Sequence, residues 1–496
     1  MSREMTILVV FIVYMILMIG IGFICYRENK NMEDYILGGR RLNVWVAALS
    51  AQASDMSGWL LTGLPGLAYL SLAGSKEAIW TAIGLAIGTA LNWTFVAKRL
   101  RSYTEIAGDA LTLPDYMEKR FHDTKKMLRA ASSVAILVFF LIYTSSMFVA
   151  GAKLFNTIFG LAYVPAVIIG ALVIVAYTFL GGFMAVSLTD FFQGMLMFFA
   201  ILVVPVVAMS MMGGYSTTMA MIDPNTWNIF PDGETLTWVI VGSGLAWGLG
   251  YFGQPHILVR FMAMKKPSDA KPATCIAMVW VILSLIGAVV AGLVGKVYMN
   301  PALAQGQHET IFMAMVNDLF PPVLAGVLLS AILAAIMSTA DSQLLVTSSA
   351  VANDLYKTFF RKDASDKELL LVSRLVVLVA SVFAVLLALD PNSSIFGIVS
   401  YAWGGLGASF GPIILFSLFW KRMTKKGAVA GIVSGALGVV VFKNLQHLGG
   451  VFAVYELLPA FVIASILIVV VSLIDTPPSM EICEEFDRAK RWANEK

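Results

Sequence analysis

Long apolar runs dominate the chain, and thirteen of them approach the length of a membrane span. A helix needs about 20 apolar residues to cross the hydrocarbon layer of a bilayer. The runs lie near residues 5–25, 44–70, 78–97, 130–156, 163–181, 190–213, 236–256, 273–295, 319–350, 371–390, 396–420, 427–446 and 452–474. The pattern predicts an all-α integral membrane protein with about 13 transmembrane helices, in which Gly181 and Gly182 separate the fifth run from the sixth.

The charged positions between the runs predict the orientation, because lysine and arginine stay on the cytoplasmic side of a membrane. We place the N-terminus outside and let the helices alternate. The lysines and arginines then fall in inside segments, except Arg3, Lys76, Lys153, Lys296 and Lys443. This separation favours an odd number of spans with the C-terminus in the cytoplasm, and it assigns Arg260 to a cytoplasmic loop.

The second run breaks the apolar pattern at Asp55, which stands among Ser54, Ser57 and Gly58. An ionised aspartate at the bilayer centre costs roughly 2.5–3.5 kcal/mol on insertion scales, so a bound cation is a natural partner. Glycine and serine also tolerate an unwound stretch whose carbonyls can coordinate sodium. The pattern predicts a broken helix with an ion site. The simpler alternative is a kink in which Asp55 bonds to nearby backbone.

Two other runs carry polar or helix-breaking residues at membrane depth. In the ninth run, hydroxyl and carboxylate oxygens that suit a hard cation come from Ser338, Thr339, Asp341 and Ser342. In the seventh run, five glycines and a proline predict a broken helix. Its residues Trp247, Tyr251 and Pro255 suit a compact apolar ring. The alternatives are ordinary packing of small residues in the ninth run and aromatic packing around a kink in the seventh.

The broken second and seventh runs are five spans apart, which predicts two five-helix repeats of opposite orientation. The predicted divisions are a first helix with its cytoplasmic loop, a first repeat, an inverted second repeat, two accessory helices and a cytoplasmic tail, at 1–43, 44–213, 236–420, 427–474 and 475–496. Asp190, at the cytoplasmic start of the sixth run, is a further ion-site candidate, although a carboxylate at a helix N-terminus is favourable without a ligand.

Composition excludes several function classes. The chain is 59% hydrophobic and 13% charged, and its net charge of +3 is too small to indicate a nucleic-acid partner. Its three cysteines and four histidines lie far apart, so we expect neither a disulfide framework nor a transition-metal site. No serine, histidine or cysteine constellation indicates an enzyme. We expect no cofactor, and no obligate protein partner in addition to the lipid bilayer.

Several segments together resemble the sodium:solute symporter family, and within it the sodium/proline symporter branch. They are DYILGGR at 34–40, ASDMSGW at 53–59, GLPG at 63–66, GLGYFGQPH at 248–256 and LSAILAA at 329–335. The family implies a leucine-transporter-type 5+5 inverted repeat with alternating access, here with one preceding and two following helices. It implies sodium-coupled symport of L-proline into the cell across the bacterial cytoplasmic (inner) membrane, with sodium as the coupling ion.

The resemblance also implies roles for residues at matching motif positions. A sodium site would use the carbonyls of Ala53, Met56 and Ala335 with the hydroxyls of Ser338 and Thr339. Positions that affect coupling are matched by Asp55, Ser57, Gly58 and Arg40. Positions of the proline pocket are matched by Tyr143, Trp247, Tyr251 and Pro255. A second sodium site of some relatives is similar to the set Asp190, Ser338, Asp341 and Ser342.

Rival functions remain open at this point. The same fold and ion could carry another small solute, such as pantothenate, a sugar or a carboxylate, because the shape of the pocket is not readable from sequence. An ion channel is a second rival, although the chain lacks repeated pore segments. Coupling to lithium or protons in place of sodium is also open.

Overall fold

The computed structural model describes residues 1–26, 32–178, 182–231 and 233–495, and regular structure within these ranges is helical. Their α-helices, numbered α1 to α22, are Arg3–Tyr26, Met32–Leu37, Val44–Asp55, Gly58–Leu61, Gly63–Leu70, Leu72–Leu91, Lys98–Ile106, Leu113–Arg120, Met127–Phe159, Tyr163–Thr178, Phe183–Met211, Tyr215–Met221, Glu234–Gly250, Pro255–Ala263, Ala270–Tyr298, Ile311–Leu319, Pro322–Ser349, Asp366–Leu387, Ile395–Phe419, Lys425–Leu445, Leu457–Ile474 and Met480–Glu495. Two π-helical stretches, Asn92–Ala97 and Ala350–Phe360, join α6 to α7 and prolong α17. The all-α prediction is confirmed for this part of the chain.

Eleven helical segments in the described ranges are long and apolar enough to cross a membrane. Two of the thirteen predicted spans have no single long helix. The run at 163–181 corresponds to the shorter α10, and the run at 44–70 is divided among α3, α4 and α5. The count of thirteen therefore stays a prediction. Gly181, part of the predicted boundary between the fifth and sixth spans, lies outside the described residues, and α11 begins at Phe183.

The second span is interrupted where the sequence predicts a break. α3 ends at Asp55 because Met56 has a ψ of 68°, outside the helical region. The side chain of Ser57 then accepts a hydrogen bond from the backbone N–H of Trp59 and caps the start of α4. The polar residues that disturb the apolar pattern thus supply the cap that a restarted helix needs.

The seventh span is interrupted as well. α13 ends at Gly250, a 3₁₀ turn follows over Tyr251–Gly253, and Pro255 opens α14. A side chain at Gly250 would place its Cβ 1.8 Å from Nε1 of Trp403, so only glycine fits there. The amide of Gln254 donates hydrogen bonds to the carbonyls of Gly250 and Trp403, both at 3.1 Å. The first bond satisfies a carbonyl next to the break, and the second ties the break to α19.

α14 continues to Ala263, beyond the predicted end of the seventh span at residue 256. Arg260 therefore lies on a helix, and its side chain is fully buried. Its assignment to a cytoplasmic loop was wrong. The positive-inside pattern could not separate a loop arginine from one that is held inside the protein by a buried carboxylate.

The interrupted spans lie side by side and run in opposite directions. Just before α3, Leu42 forms a local parallel bridge through backbone hydrogen bonds to Ala263 and Lys265, both at 3.1 Å. Further along α3, Ser50 meets Arg260 and Asp55 meets Tyr251. Residue numbers rise along one span as they fall along the other, as two inverted repeats require.

α6 and α13 touch along a glycine seam formed by Gly84, Gly88, Gly244 and Gly248. A Cβ on Gly84 would lie 2.0 Å from the carbonyl oxygen of Gly244, and a Cβ on Gly88 would lie 2.3 Å from that of Gly248. Small residues spaced four apart let membrane helices approach to backbone contact. The third and seventh spans are therefore packed together without intervening side chains.

Candidate functional site

The break in the second span brings oxygen atoms from α3 and α17 together. The hydroxyl of Ser338 lies 2.7 Å from the carbonyl oxygen of Ala53 and 3.3 Å from that of Ala335. Thr339 is also fully buried, and its hydroxyl makes no hydrogen bond among the described residues. Carbonyl and hydroxyl oxygens are ligands that a hard monovalent cation accepts. Four of the five residues expected to hold sodium are thus placed on two adjoining helices.

Met56, the fifth residue of that set, forms the break itself. Its N–H still bonds to the carbonyl of Gln52 at 2.8 Å, and its non-helical ψ ends α3. Gly58 follows in a tight place, because a Cβ there would lie 3.1 Å from Cβ of Ala150. Ser57 and Gly58 therefore shape the interruption, one as a cap and the other as a small residue that lets α9 approach.

Asp55 links the two interrupted spans. Its carboxylate is fully buried, and Oδ2 accepts a hydrogen bond from the hydroxyl of Tyr251. The other oxygen, Oδ1, has no hydrogen-bond partner among the described residues. The partner of this carboxylate is thus a side chain of the seventh span. Asp55 couples the geometry of the two breaks, and one anionic oxygen can still take a cation or an ammonium group.

An aromatic cluster surrounds Trp247, one helical turn before the Tyr251 that binds this carboxylate. Its ring centroid lies 5.1–6.1 Å from those of Trp59, Phe396, Trp403 and Tyr455. Tyr251 packs edge-on against Trp403 at 5.1 Å. Such walls favour an apolar ring over an extended polar solute.

Tyr143 and Pro255 complete the residues expected around proline, but they occupy different places. Tyr143 is fully buried on α9, and its ring centroid lies 6.2 Å from that of His256. Pro255 lines a cavity beneath the cluster, together with Ile136 and Phe183. The structure brings Tyr251 into contact with Asp55 and Trp247 against Trp59, and it places Pro255 at a separate cavity.

Asp190 is fully buried, and its carboxylate pairs with the side chain of Arg260. Its Oδ2 accepts hydrogen bonds from Ser50 at 2.7 Å and from Nη2 of Arg260 at 3.1 Å. Arg260 also donates to Ser50 at 3.1 Å and to the carbonyl of His256 at 2.8 Å. This arginine is the residue that sequence reasoning missed, although it is a lone cation within the apolar stretch 255–263.

The set predicted for a second sodium ion is divided by this arrangement. Ser342 accepts a hydrogen bond from Arg260 at 2.6 Å and donates one to Asp341 at 3.4 Å. Ser338 instead faces Ala53. Arg260 therefore supplies positive charge beside the oxygens on which the second-sodium hypothesis depends, and that hypothesis stays a prediction.

Arg40 lies outside this central region. Its guanidinium donates to the carbonyls of Met262 at 2.7 Å and Ala110 at 2.9 Å, and to the carboxylate of Asp109 at 2.9 Å. These contacts join the turn before α3 to the end of α14 and to the segment after α7. Arg40 can affect transport through the position of these elements, without touching either candidate site.

Sequence reasoning also missed a buried carboxylate, Glu309, in the 3₁₀ turn just before α16. Glu309 accepts hydrogen bonds from the N–H groups of Ile395 and Phe396 at 3.0 and 2.9 Å, and from Nζ of Lys153 at 2.6 Å. It caps α19 and holds Phe396 against Trp247. A single glutamate in the loop at 299–310 gave no sequence signal for this role.

Comparison with known proteins supports the family resemblance that the sequence motifs indicated. The family model described as "Sodium:solute symporter family" matches residues 35–435. A sodium/proline symporter of Escherichia coli (strain K12) is 50% identical, over 97% of this chain and 96% of its own. The high-affinity proline transporter PutP of Bacillus subtilis (strain 168) is 49% identical, over 95% and 98%.

Among solved structures, a Na⁺-coupled sialic acid symporter in a substrate-bound outward-open state superposes with a TM-score of 0.79 at 20% sequence identity. The superposition covers 96% of this chain and 99% of that one. At this identity the likeness shows the fold alone. It confirms the leucine-transporter-type architecture expected from the sequence.

Proposed function

The chain belongs to the sodium:solute symporter family, and we propose that it is a secondary active transporter that carries L-proline into the cell together with sodium. The matched relatives are named symporters and transporters, and the protein is a transporter and not an enzyme. Sodium is the coupling ion that the family implies. Each sodium ion that enters draws on about 2.3 kcal/mol per 100 mV of membrane potential.

The observation that carries the proposal is the contact between the Ser338 hydroxyl and the Ala53 carbonyl at the break in the second span. A sodium ion held by Ala53, Met56, Ala335, Ser338 and Thr339 would replace that direct hydrogen bond. The ion would then tie α17 to α3 through oxygen ligands, and its departure would let Ser338 bond to Ala53 again. Sodium can therefore bias the position of α3 against α17.

Proline would bind beside Asp55, between Tyr143, Trp247 and Tyr251. The apolar ring suits the aromatic cluster, and the charged imino group suits the unpartnered oxygen of Asp55. Because Asp55 follows the sodium ligand Ala53 by two residues, ion binding and substrate binding act on the same interrupted segment. Ser57, Gly58, Pro255 and Arg40 act through the shape of the breaks and of the inner segments.

We place the protein in the bacterial cytoplasmic membrane as a multi-pass protein, with its N-terminus outside and its C-terminus inside. The distribution of lysine and arginine supports this orientation. The antiparallel order of the contacts Ser50–Arg260 and Asp55–Tyr251 supports the repeat division into 44–213 and 236–420. Another solute of the same family, or a channel, has no specific observation in its favour.

The test is uptake of labelled proline into liposomes that contain the purified protein, with and without an inward sodium gradient. We expect uptake that the gradient stimulates. Asp55→Asn should abolish it, and Asp363→Asn should not, because Asp363 is an exposed carboxylate outside both sites. Sodium-dependent binding of a different solute, without proline uptake, would overturn the substrate. Proline uptake that does not depend on the sodium gradient would exclude sodium as the coupling ion.

A further inference from the structure

A narrow cavity lies between the start of α14 and the C-terminal end of α17. Its volume is about 20 Å³, enough for a single ion or water molecule. Most of these are apolar, and they include Pro255 of the seventh span. The polar side chains in the lining are Thr112, Ser349 and Asp354. The cavity therefore extends from beneath the proposed proline site to a group of oxygen atoms.

Asp354 is the charged member of that group. Its side chain is fully buried in the π-helical stretch after α17. One oxygen, Oδ1, accepts hydrogen bonds from Thr112 at 2.9 Å and from Asn353 at 3.1 Å. The other, Oδ2, has no hydrogen-bond partner among the described residues. A buried anionic oxygen of this kind is costly unless a cation, a proton or water reaches it.

The nearest basic residue is already engaged elsewhere. Nε of Arg129 lies 3.9 Å from Asp354 but 2.7 Å from Glu118, and its Nη2 bonds to Asp115. Arg129 therefore divides its single charge among three carboxylates. Among the described residues, Asp354 therefore has no basic partner of its own at the edge of the cavity.

The same helix joins this carboxylate to the proposed sodium site. Ser338 and Ser342 lie one turn apart on α17, and Ser349 follows two turns later, before the π-helical stretch that carries Asp354. At 1.5 Å per residue, Ser338 and Asp354 are about 24 Å apart along the helix. Buried carboxylates in transmembrane segments mark ion pathways by default.

We propose that Asp354 is a second, inner binding station for a sodium ion, which the ion occupies between the site at Ser338 and the cytoplasm. The ligands are Oδ2 of Asp354 and the hydroxyl of Ser349, with water completing the shell; the Thr112 hydroxyl is already engaged with Asp354 Oδ1 and the N–H of Asp115. Sodium arriving from the cytoplasm meets the same station first. The proposal rests on the proposed function, because it assumes that sodium is transported. A rival role for Asp354 is structural, as a latch that holds Thr112 and the start of α8.

The test measures how sodium on the cytoplasmic face inhibits proline influx, in vesicles that hold the full-length protein in one orientation. We expect Asp354→Asn to raise the internal sodium concentration for half-inhibition by about tenfold, since a charge-assisted contact contributes roughly that factor. The external sodium concentration for half-maximal uptake should stay unchanged, which also shows that the variant folds. Asp363→Asn, an exposed carboxylate on the same side, should behave as wild type.

Thr112→Val distinguishes sodium binding from a structural role of Asp354, because it removes the hydrogen bond between Thr112 and Asp354 and keeps the carboxylate. We expect its internal sodium dependence to stay close to that of the wild type. The sodium site at Asp354 would be overturned if Thr112→Val raised the internal sodium concentration for half-inhibition as much as Asp354→Asn does. It would also be overturned if Asp354→Asn left that concentration unchanged. If the wild type shows no sodium-driven proline uptake, the proposed function itself fails, and this outcome is distinct from both.

Discussion

Removal of the charge on Arg260 is the sharpest test of the buried network between the second, sixth, seventh and ninth spans. Its guanidinium donates hydrogen bonds to Ser50, Asp190, Ser342 and the carbonyl of His256. In Arg260→Met, the carboxylate of Asp190 stays buried without its cation. Breaking one side of a buried ion pair costs about 3–5 kcal/mol, and we expect a loss of folding stability of that size. Adding Asp190→Asn removes the uncompensated charge and should restore most of the loss.

The assay is thermal and chemical unfolding of the purified protein in detergent. Arg120→Met is the matched control, because Arg120 is also fully buried but bonds to the carbonyl of Ser417 and lies against aromatic rings. We expect this control to lose stability without any rescue by neutralising Asp190. A cost below about 1 kcal/mol for Arg260→Met would refute the reasoning, since it is far less than a broken buried pair requires. A double variant no more stable than the single one would refute it too.

The same variant tests the second-sodium hypothesis. Without the guanidinium, sodium can approach the oxygens of Asp190, Asp341 and Ser342. At ten times its dissociation constant, an ion that binds only the folded state adds about 1.4 kcal/mol of stability. We therefore expect sodium to stabilise Arg260→Met more than it stabilises the wild type. No sodium stabilisation of Arg260→Met beyond that of the Arg260→Met, Asp190→Asn double variant would show that these oxygens do not bind sodium.

Three further outcomes follow from contacts in the fold. Ser338→Ala should raise the sodium concentration for half-maximal proline uptake by about tenfold, as expected for the loss of one ion ligand; Ser330→Ala, on the same helix, should not. Gly250→Ala forces a methyl carbon to 1.8 Å from an indole nitrogen and should prevent recovery of folded protein, measured by gel filtration. Burial raises the pKa of Glu309, but the charge of Lys153 and the hydrogen bonds to the carboxylate lower it overall. Its stabilisation is therefore present above the ordinary glutamate pKa of about 4.3 and is lost as pH falls through the lower folded value. We expect Glu309→Gln to be less stable than wild type by about 1.5–3 kcal/mol at neutral pH, with the difference vanishing in acid unfolding curves.

Much of the fold follows from local sequence, because the physics that decides it is local. Residue 56 ends α3 where serine, glycine and aspartate interrupt an apolar run, and the seventh span breaks where glycines precede Pro255. The pattern also indicated Ser338, because a hydroxyl beside a carboxylate is unusual inside a span. In these cases the unusual residue is itself the cause of the structure.

The rest depends on contacts between distant residues, which no local pattern shows. Arg260 has the same sequence context as a loop arginine, and only the approach of Asp190, 70 positions away, explains its burial. The role of Glu309 depends on the start of α19, and that of Asp354 on Thr112. The prediction of thirteen spans rested on the length of each apolar run. An interrupted span is divided among several short helices, so no single helix has the predicted length.

The glycine seam between α6 and α13 has a mechanical consequence. Where side chains separate two helices, each can rotate or slide because rotamers yield. Here a backbone carbonyl of one helix sits in the space that a methyl group of the other would fill. A shift by one helical turn would have to pull Gly84 and Gly88 out of register with Gly244 and Gly248 and drive larger residues into a gap of atomic width. We therefore expect the third and seventh spans to move together as a rigid pair in any conformational change of the transporter.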